Sequence, residues 1–421
     1  MNSIVIVGAG ISGLYAAFLL KKSISDIDIK ILESSDRIGG RIYSKVEEDT
    51  FFELGAEQIH GRNHIFFELL EYLKIKVYPD SGDYYYFWKD QLIDEDHSHS
   101  VPELLQAKRF FNSFENYDGP TENLKDYLNE KGYMSSESEH LFQGFAAEYG
   151  TDLDSLEIQS LVNEERLWTS GEKNYHLKGP MNQIIDFFKQ ELSDNIILNT
   201  EVEKIEYSND LIKIQCKDSK SFTADSCIIS TSLGILKQDK ITFSPSLPPP
   251  HKNAIEQLGF DRGFKFLLQF SEKFWDKDTR EIIGGQIAPL YLFSDQEQPV
   301  VCAYMMGKNA KILETSSKAY IERLFVDELN LMFNRRDLGL LIQKSIFHDW
   351  GNDPHTLGTY SYAVPHSLKL RENLSKPIEN KLFFIGEACN SEGHAATIQG
   401  AMESAEKSCE IILSIYNENN L

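Results

Sequence analysis

Short, nearly unbroken apolar runs recur along this chain, separated by stretches whose apolar residues return every three or four positions. Ser3–Val7 is the first run and Ile27–Leu32 the second, with helical spacing between them through Leu20. Runs that lack polar alternation suit strands buried on both faces, as in a parallel sheet. Asp225–Ser232 and the run from Lys381 to Gly386 repeat that character. Further strands are predicted over Asp83–Trp88, Ile196–Asn199, Val202–Tyr207, Leu211–Cys216, Val300–Met305 and Ser345–Phe347. Helices are predicted over Ile65–Leu73, Pro102–Lys131, Ser136–Glu148, Met181–Leu192 and Ser317–Phe333, with a last helix running through Leu413. In Phe264–Phe270, period two places Phe264, Phe266, Leu268 and Phe270 on one face and Lys265, Leu267 and Gln269 on the other. Pro245–Pro250 is the clearest boundary in the sequence.

Between the first strand and its helix lies Gly8-Ala9-Gly10-Ile11-Ser12-Gly13. Gly8 allows a tight turn, Gly10 lets a pyrophosphate touch backbone, and Gly13 lets helix and strand pack closely. The helix start, which contains Ser12, offers free N–H groups and a positive dipole end to phosphate. Glu33 ends the second strand, twenty residues after Gly13 (33 − 13). A carboxylate there accepts bonds from a ribose hydroxyl and repels a 2′-phosphate. Strand, loop, helix, strand and acid together predict a bound dinucleotide. Arg37-Ile38-Gly39-Gly40-Arg41 follows at once, a second glycine pair that a nicotinamide-binding fold does not need.

The chain has 421 residues, more than one hydrophobic core normally serves, so two domains are expected. Its net charge of −23, from 42 basic and 65 acidic residues, argues against nucleic acid and against an anionic membrane surface. The same charge would concentrate a cationic substrate. No stretch has the length of a membrane span, and the first strand begins at Ser3, which leaves no room for a signal peptide. Asn417–Leu421 is neither a peroxisomal nor an endoplasmic-reticulum address. The five cysteines are odd in number and contain no CxxC pair, which suits a reducing compartment and neither a disulfide framework nor a metal site. His97 and His99, beside acids in a polar loop, read as solvated and not as metal ligands. The expectation is a cytoplasmic protein, monomer or homodimer, with no metal, nucleic-acid or membrane partner.

The Arg37–Arg41 run, with Glu53-Leu54-Gly55-Ala56 beyond it, resembles the N-terminus of FAD-containing amine oxidases. The likeness continues through most of the chain and is closest in motif to polyamine oxidases. It implies that Gly8, Gly10, Ser12, Gly13, Glu33, Gly40 and Arg41 hold FAD. By the same resemblance, Phe52–Gly61 carries His60 into an active-site funnel, with Glu57 a second substrate contact. Val202 matches a valine that touches adenine through its backbone. Lys265 matches a lysine bonded through water to flavin N5, where a fixed cation would favour superoxide and peroxide as they form. Trp350 and Gly358-Thr359-Tyr360 are similar to segments that wall the flavin, with Tyr360 one side of an aromatic slot for the amine. Thr359 stands where monoamine oxidases have a flavin-bonded cysteine, which implies non-covalent FAD. Gly386-Glu387 and Thr397-Ile398 match the C-terminal FAD motif. Glu387 would bond the cofactor near its pyrophosphate, and the helix start at Ile398 would face the flavin's electron-rich edge. Thr397 replaces a second tyrosine, implying a more open substrate pocket.

The fold implied is α/β and α+β, a Rossmann-like FAD-binding domain interleaved with a substrate domain of mixed sheet plus helices. Residues 1–80, 178–250 and 371–421 are assigned to the first, and 81–177 and 251–370 to the second. The activity implied is oxidation of a small cationic amine to an imine, by hydride transfer to flavin N5, with O2 reduced to hydrogen peroxide. Lys265, Tyr360 and His60 are the candidate catalytic residues; Glu57, His60, Tyr360 and Thr397 are the candidate substrate contacts. Two rivals differ in class: an FAD oxidase or desaturase of another C–H substrate (an amino acid, porphyrinogen or carotenoid), and a non-catalytic flavoprotein. An amino-acid oxidase would need an arginine over the flavin for the carboxylate, and no arginine is convincingly placed for it.

Overall fold

The computed structural model describes residues 2–47, 50–294 and 299–419. Met1, and Asn420 and Leu421 of the C-terminal run, lie outside the described residues. The first strand, Ser3–Val7, sits centrally in a five-stranded sheet. It pairs in parallel with Asp28–Leu32 on one side and Ser226–Ile229 on the other. Leu382–Phe384 and Ile196–Ile197 complete the two edges, also in parallel. The unbroken apolar run has a direct cause in this placement. Ile4 and Ile6 enter the core beneath the helix Ile11–Ser23, while Val5 and Val7 enter a separate core on the opposite face. The first helix packs on the long C-terminal helix Ile398–Asn419, so the two ends of the chain meet over one face of this sheet.

A second sheet has seven strands, in the order Ile342–Asp349, Gly263–Phe270, Val300–Met306, Leu290–Phe293, Thr279–Ile283, Asp83–Trp88 and Gln91–Asp94. Its pairs are antiparallel except for Thr279–Ile283 beside Asp83–Trp88. The period-two expectation for Phe264–Phe270 holds. Phe264, Phe266, Leu268 and Phe270 pack under the helix Lys318–Met332 with Phe325, whereas Leu267 joins Phe52, Leu54 and Ile346 on the other side. Lys265 therefore lies on a covered face, only 5% exposed. Among the described residues no helix is long and apolar enough to cross a membrane.

Several boundaries differ from expectation. The stretch Pro102–Lys131 forms two helices, Pro102–Phe111 and Leu124–Glu130, separated by Asp118-Gly119-Pro120, where proline disfavours a helical residue before it and offers no N–H. The helix Ile158–Glu165 was not expected; Glu157 caps it by accepting from the N–H groups of Gln159 and Ser160. Asn174–Leu177 is also an unexpected strand, too short to show a period, and it draws Ile59–His60 and Val77–Pro79 into one small sheet. Leu211–Cys216 was expected to close the sheet beside Val202–Tyr207, yet Ser221–Ala224 extends it by a further strand.

One buried acid fixes a turn on the second sheet. The Glu328 carboxylate accepts from the backbone N–H groups of Gln286, Ile287 and Ala288 at 2.6, 2.9 and 3.1 Å and from the Tyr291 hydroxyl at 2.7 Å. Burial raises its pKa, and these four donors oppose the rise. Truncation takes the acceptor from all four, of which the Ala288 N–H and the Tyr291 hydroxyl are buried. Glu328→Ala is expected to destabilise the fold by about 3 kcal/mol, read as a lowered denaturation midpoint, and Glu328→Gln by less because one amide oxygen still accepts.

Candidate functional site

The glycine loop forms a cradle with one open side. A Cβ on Gly13 would stand 2.2 Å from the Gly8 carbonyl oxygen, so helix and strand approach as closely as a glycine permits. A Cβ on Gly10 would meet nothing within 4 Å, which leaves open space over the backbone at the helix start. The second glycine pair closes on this loop. The Gly39 N–H donates to the Ala9 carbonyl at 2.8 Å, and a Cβ on Gly40 would lie 3.3 Å from Gly10 Cα. Glu33 braces the same turn: one oxygen accepts from the Ala9 N–H at 2.8 Å, the other from the Ser35 N–H and hydroxyl, each at 2.9 Å. Ser12 Oγ lies 2.8 Å from Ser230 Oγ, and the next residue, Thr231, has a buried hydroxyl with no partner. Thr231 lines one recess with Arg41, Gly386 and Glu387. Open backbone above Gly10, free helix-start N–H groups and an unpaired hydroxyl are what a pyrophosphate-linked dinucleotide would use, so these residues fit FAD.

Glu387 is held from three directions. Arg41 Nη1 donates to one oxygen at 2.8 Å and also to the Thr359 carbonyl at 2.8 Å. The other oxygen accepts from the Ser361 hydroxyl at 2.6 Å and the Ala396 N–H at 3.2 Å. Arg371, fully buried, donates to Ser361 Oγ at 2.6 Å and to Glu164 at 3.0 Å. Burial alone would raise the Glu387 pKa; the charge and hydrogen bond of Arg41, the Ser361 hydroxyl and the Arg371 charge hold it below the usual carboxylate range.

On the second sheet, Lys265 Nζ donates to Glu57 Oε2 at 2.8 Å and to the Glu53 carbonyl at 3.3 Å. It lies 5.9 Å from the centroid of the Tyr304 ring, directly across the strand pair. The Tyr304 hydroxyl is 2.7 Å from that of Tyr360, which also donates to the Glu148 carbonyl at 2.8 Å. Trp350 donates through Nε1 to the Leu54 carbonyl at 2.7 Å, on the stretch that leads to Glu57. Strand register continues the same face from Lys265 through Tyr304, Leu290 and Ile283 to Glu281. At the usual strand spacing, Glu281 lies about 15 Å of backbone from Lys265. Glu281 is 7% exposed and its Oε1 has no hydrogen-bond partner. Burial first, then the Glu148 and Asp80 charges, push its pKa well up. Glu148 is exposed on its helix, and desolvation with the Glu165 charge raises its pKa to about 7. Two acids of raised pKa thus neighbour one another here, with the Arg280 charge opposing the rise at Glu281.

The remaining candidates fall around the start of the last helix. Thr397 caps it, accepting from the Gly400 N–H at 3.0 Å and donating to the His394 carbonyl at 2.7 Å, with Ile398 the first helical residue. Gln399 donates to the His60 carbonyl at 3.4 Å, which brings His60 beside that turn. His60 Nδ1 is 2.9 Å from Asn174 Oδ1, its ring is edge-on to Trp168, and burial lowers its pKa. Val202 opens its strand 3% exposed, beside a register shift, with Cys216 as its cross-strand partner. A Ser170–His394–Glu403 chain also sits here, but Ser170 is 1% exposed and its carbonyl holds the Arg62 and Asn63 N–H groups, so it serves as a brace.

Sequence reasoning missed Tyr304, Ser361, Arg371 and Glu281. Tyr304 and Glu281 look like ordinary strand residues, and Arg371 sits in a polar helix. One signal was available: Lys265 on a strand apolar on both sides required a nearby counter-charge. The rival that needs an arginine for a carboxylate finds little support. Arg280 is engaged by Asp80 at 2.5 Å, by the Phe293 carbonyl at 2.8 Å and by His176.

Comparison with known proteins agrees with this geometry. Polyamine oxidase 4 of Oryza sativa subsp. japonica is 28% identical over 96% of this chain and 86% of its own length. An L-amino-acid oxidase of Siganus canaliculatus is 25% identical over 100% of this chain and 86% of its own. Among solved structures, cyclohexylamine oxidase from Brevibacterium oxydans IH-35A superposes with a TM-score of 0.84 at 19% identity, covering 99% of each chain. Wild-type putrescine oxidase bound to putrescine superposes at 0.83 and 16% identity, covering 98% of this chain and 99% of its own. The family model for flavin-containing amine oxidoreductases matches residues 11–413, and this protein belongs to that family.

Proposed function

We propose that this amine oxidoreductase binds FAD without a covalent bond and oxidises a polyamine, with O2 as electron acceptor and hydrogen peroxide as product. The observation that carries the substrate reading is the pair of neighbouring acids Glu148 and Glu281, both raised in pKa by burial. The roughly 15 Å of backbone between Lys265 and Glu281 suits a long polyamine and is more than a four-carbon diamine or a short monoamine can reach across. Bound FAD supplies the two-electron acceptor for the C–H bond beside an uncharged amine nitrogen.

The chain's own residues orient and exclude. FAD would be held by Gly8, Gly10, Ser12, Gly13, Glu33, Gly40 and Arg41, with Val202, Trp350, Gly386, Glu387, Thr397 and Ile398. The Tyr304–Tyr360 hydroxyl pair forms a wall that positions the reacting carbon and keeps water from it. Lys265 has a third N–H beyond the two given to Glu57 and Glu53, and that donor holds a water on the cofactor side. His60 and Thr397 line the entry, and the second oxygen of Glu57 faces the substrate. Residues 1–80, 178–250 and 371–421 form the cofactor-binding part, and 81–177 and 251–370 the substrate part. Five buried, unpaired cysteines fit a cytoplasmic location.

Acid precipitation should release the flavin completely, because Thr359 has no thiol to bond it; colour retained in the pellet would refute non-covalent binding. Lys265→Met should slow reoxidation roughly tenfold to a hundredfold while leaving reduction by amine within about twofold, measured by stopped flow. Unchanged reoxidation would remove Lys265 from the oxygen half-reaction. Glu281→Gln and Glu148→Gln should each raise KM for spermine about tenfold and leave a monoamine such as benzylamine unaffected. Glu148 is neutral below its pKa of about 7 and charged above it, so polyamine affinity should strengthen as pH rises through 7. That rise should be missing in Glu148→Gln.

A further inference from the structure

Lys265 is a buried ammonium, and one carboxylate compensates it. From the strand Val300–Met306, Tyr304 and the Cys302 thiol face it; from Ile342–Asp349, His348 stands directly opposite. From the stretch that crosses above come the Glu53 carbonyl and the Glu57 carboxylate. The Glu53 carboxylate is a poor counter-charge. It is tied to the Met181 N–H at 2.8 Å and the Ser44 hydroxyl at 2.7 Å, and burial raises its pKa to about 7. Asp80, the next acid, is spent on Arg280 at 2.5 Å and His176 at 2.9 Å. Glu57 is placed otherwise. Its Oε2 lies 2.8 Å from Lys265 Nζ, and the charges of Lys265 and Arg280 both favour its ionised form.

We propose that Glu57 is the positioning residue for Lys265, fixing the ammonium beside the cofactor and keeping it charged across the working pH range. This rests on the reading that Lys265 faces the flavin, and it gives Glu57 a role distinct from touching substrate. Burial alone would lower the Lys265 pKa; the Glu57 charge and hydrogen bond reverse that and raise it. Lys265 itself does most to hold Glu57 ionised against desolvation, and the charge of Arg280, which is paired with Asp80, adds to it. Ammonium and carboxylate therefore each keep the other in its charged form.

Glu57→Gln keeps a hydrogen-bond acceptor and removes the charge, so the burial penalty takes over and Lys265 titrates within the measured range. The test follows the FAD reduction potential and the reoxidation rate of the holoenzyme from pH 6 to pH 10. The wild type should show no lysine ionisation there. Glu57→Gln should gain one in both observables, with reoxidation falling about tenfold for each pH unit above the new pKa. The new ionisation should vanish in Glu57→Gln/Lys265→Met, and Glu57→Asp should restore wild-type behaviour, which a merely structural role would not produce. Thermal melts confirm that each variant is folded. Should Lys265→Met leave potential and reoxidation unchanged, the placement of Lys265 at the flavin fails. Should Lys265→Met change both while Glu57→Gln superimposes on the wild type at every pH, that placement stands and the role given to Glu57 is overturned.

Discussion

The site depends on a buried chain of alternating charge that runs from Glu164 through Arg371, Ser361 and Glu387 to Arg41. Its members come from the helix Ile158–Glu165, the helix Ser367–Ser375, the strand Ser361–Tyr362, the turn after the last parallel strand and the second glycine run. Removing one partner of such a chain leaves a desolvated charge, which costs about 3–5 kcal/mol, so the five segments are free to take only one relative arrangement. The consequence is geometric. Arg41 is fixed beside the glycine loop at one end of the sequence, and Glu387 is fixed near the helix start at the other.

The second sheet applies the same logic to a cation. A strand with both faces covered would normally exclude lysine, and the transfer cost is what makes Lys265 informative. The Tyr304 ring and the Glu57 carboxylate both lie against its ammonium head. The apolar faces on either side of that strand leave the ammonium little freedom to move away from its partner. Position and charge thus come from the same burial.

How much of this was legible follows from what each feature is made of. The glycine loop and Glu33 could be read because their roles belong to backbone and to a fixed spacing along two adjacent strands. The alternation at Phe264–Phe270 was legible because every outward position is apolar on one side. The pairing of Lys265 with Glu57 spans 208 residues, and nothing local in either segment announces it. Arg371 was invisible for the opposite reason: it lies in a helix of polar composition that looks solvated, yet its guanidinium is fully buried. Tyr304 was hidden by resemblance to its neighbours, since an aromatic residue in an apolar strand is ordinary. The break at Asp118-Gly119-Pro120 was present in the sequence and outweighed by apolar spacing on both sides, although proline chemistry should have decided it.

The carboxylates of the two sheets divide into two groups by what surrounds them. Glu57, Asp80 and Glu387 each have a cation in contact, and each has its pKa lowered despite burial. Desolvation raises both Glu148 and Glu281, helped by the Glu165 charge at the first and by the Glu148 and Asp80 charges at the second. Compensated acids of the first kind hold architecture in place, because their electrostatic balance is already complete. Acids of the second kind relieve their desolvation by holding a proton, and a bound ammonium would stabilise the ionised form in its place. The proposed polyamine supplies such a charge, and its distal ammonium would bring the opposite end of the molecule beneath the Tyr304–Tyr360 wall.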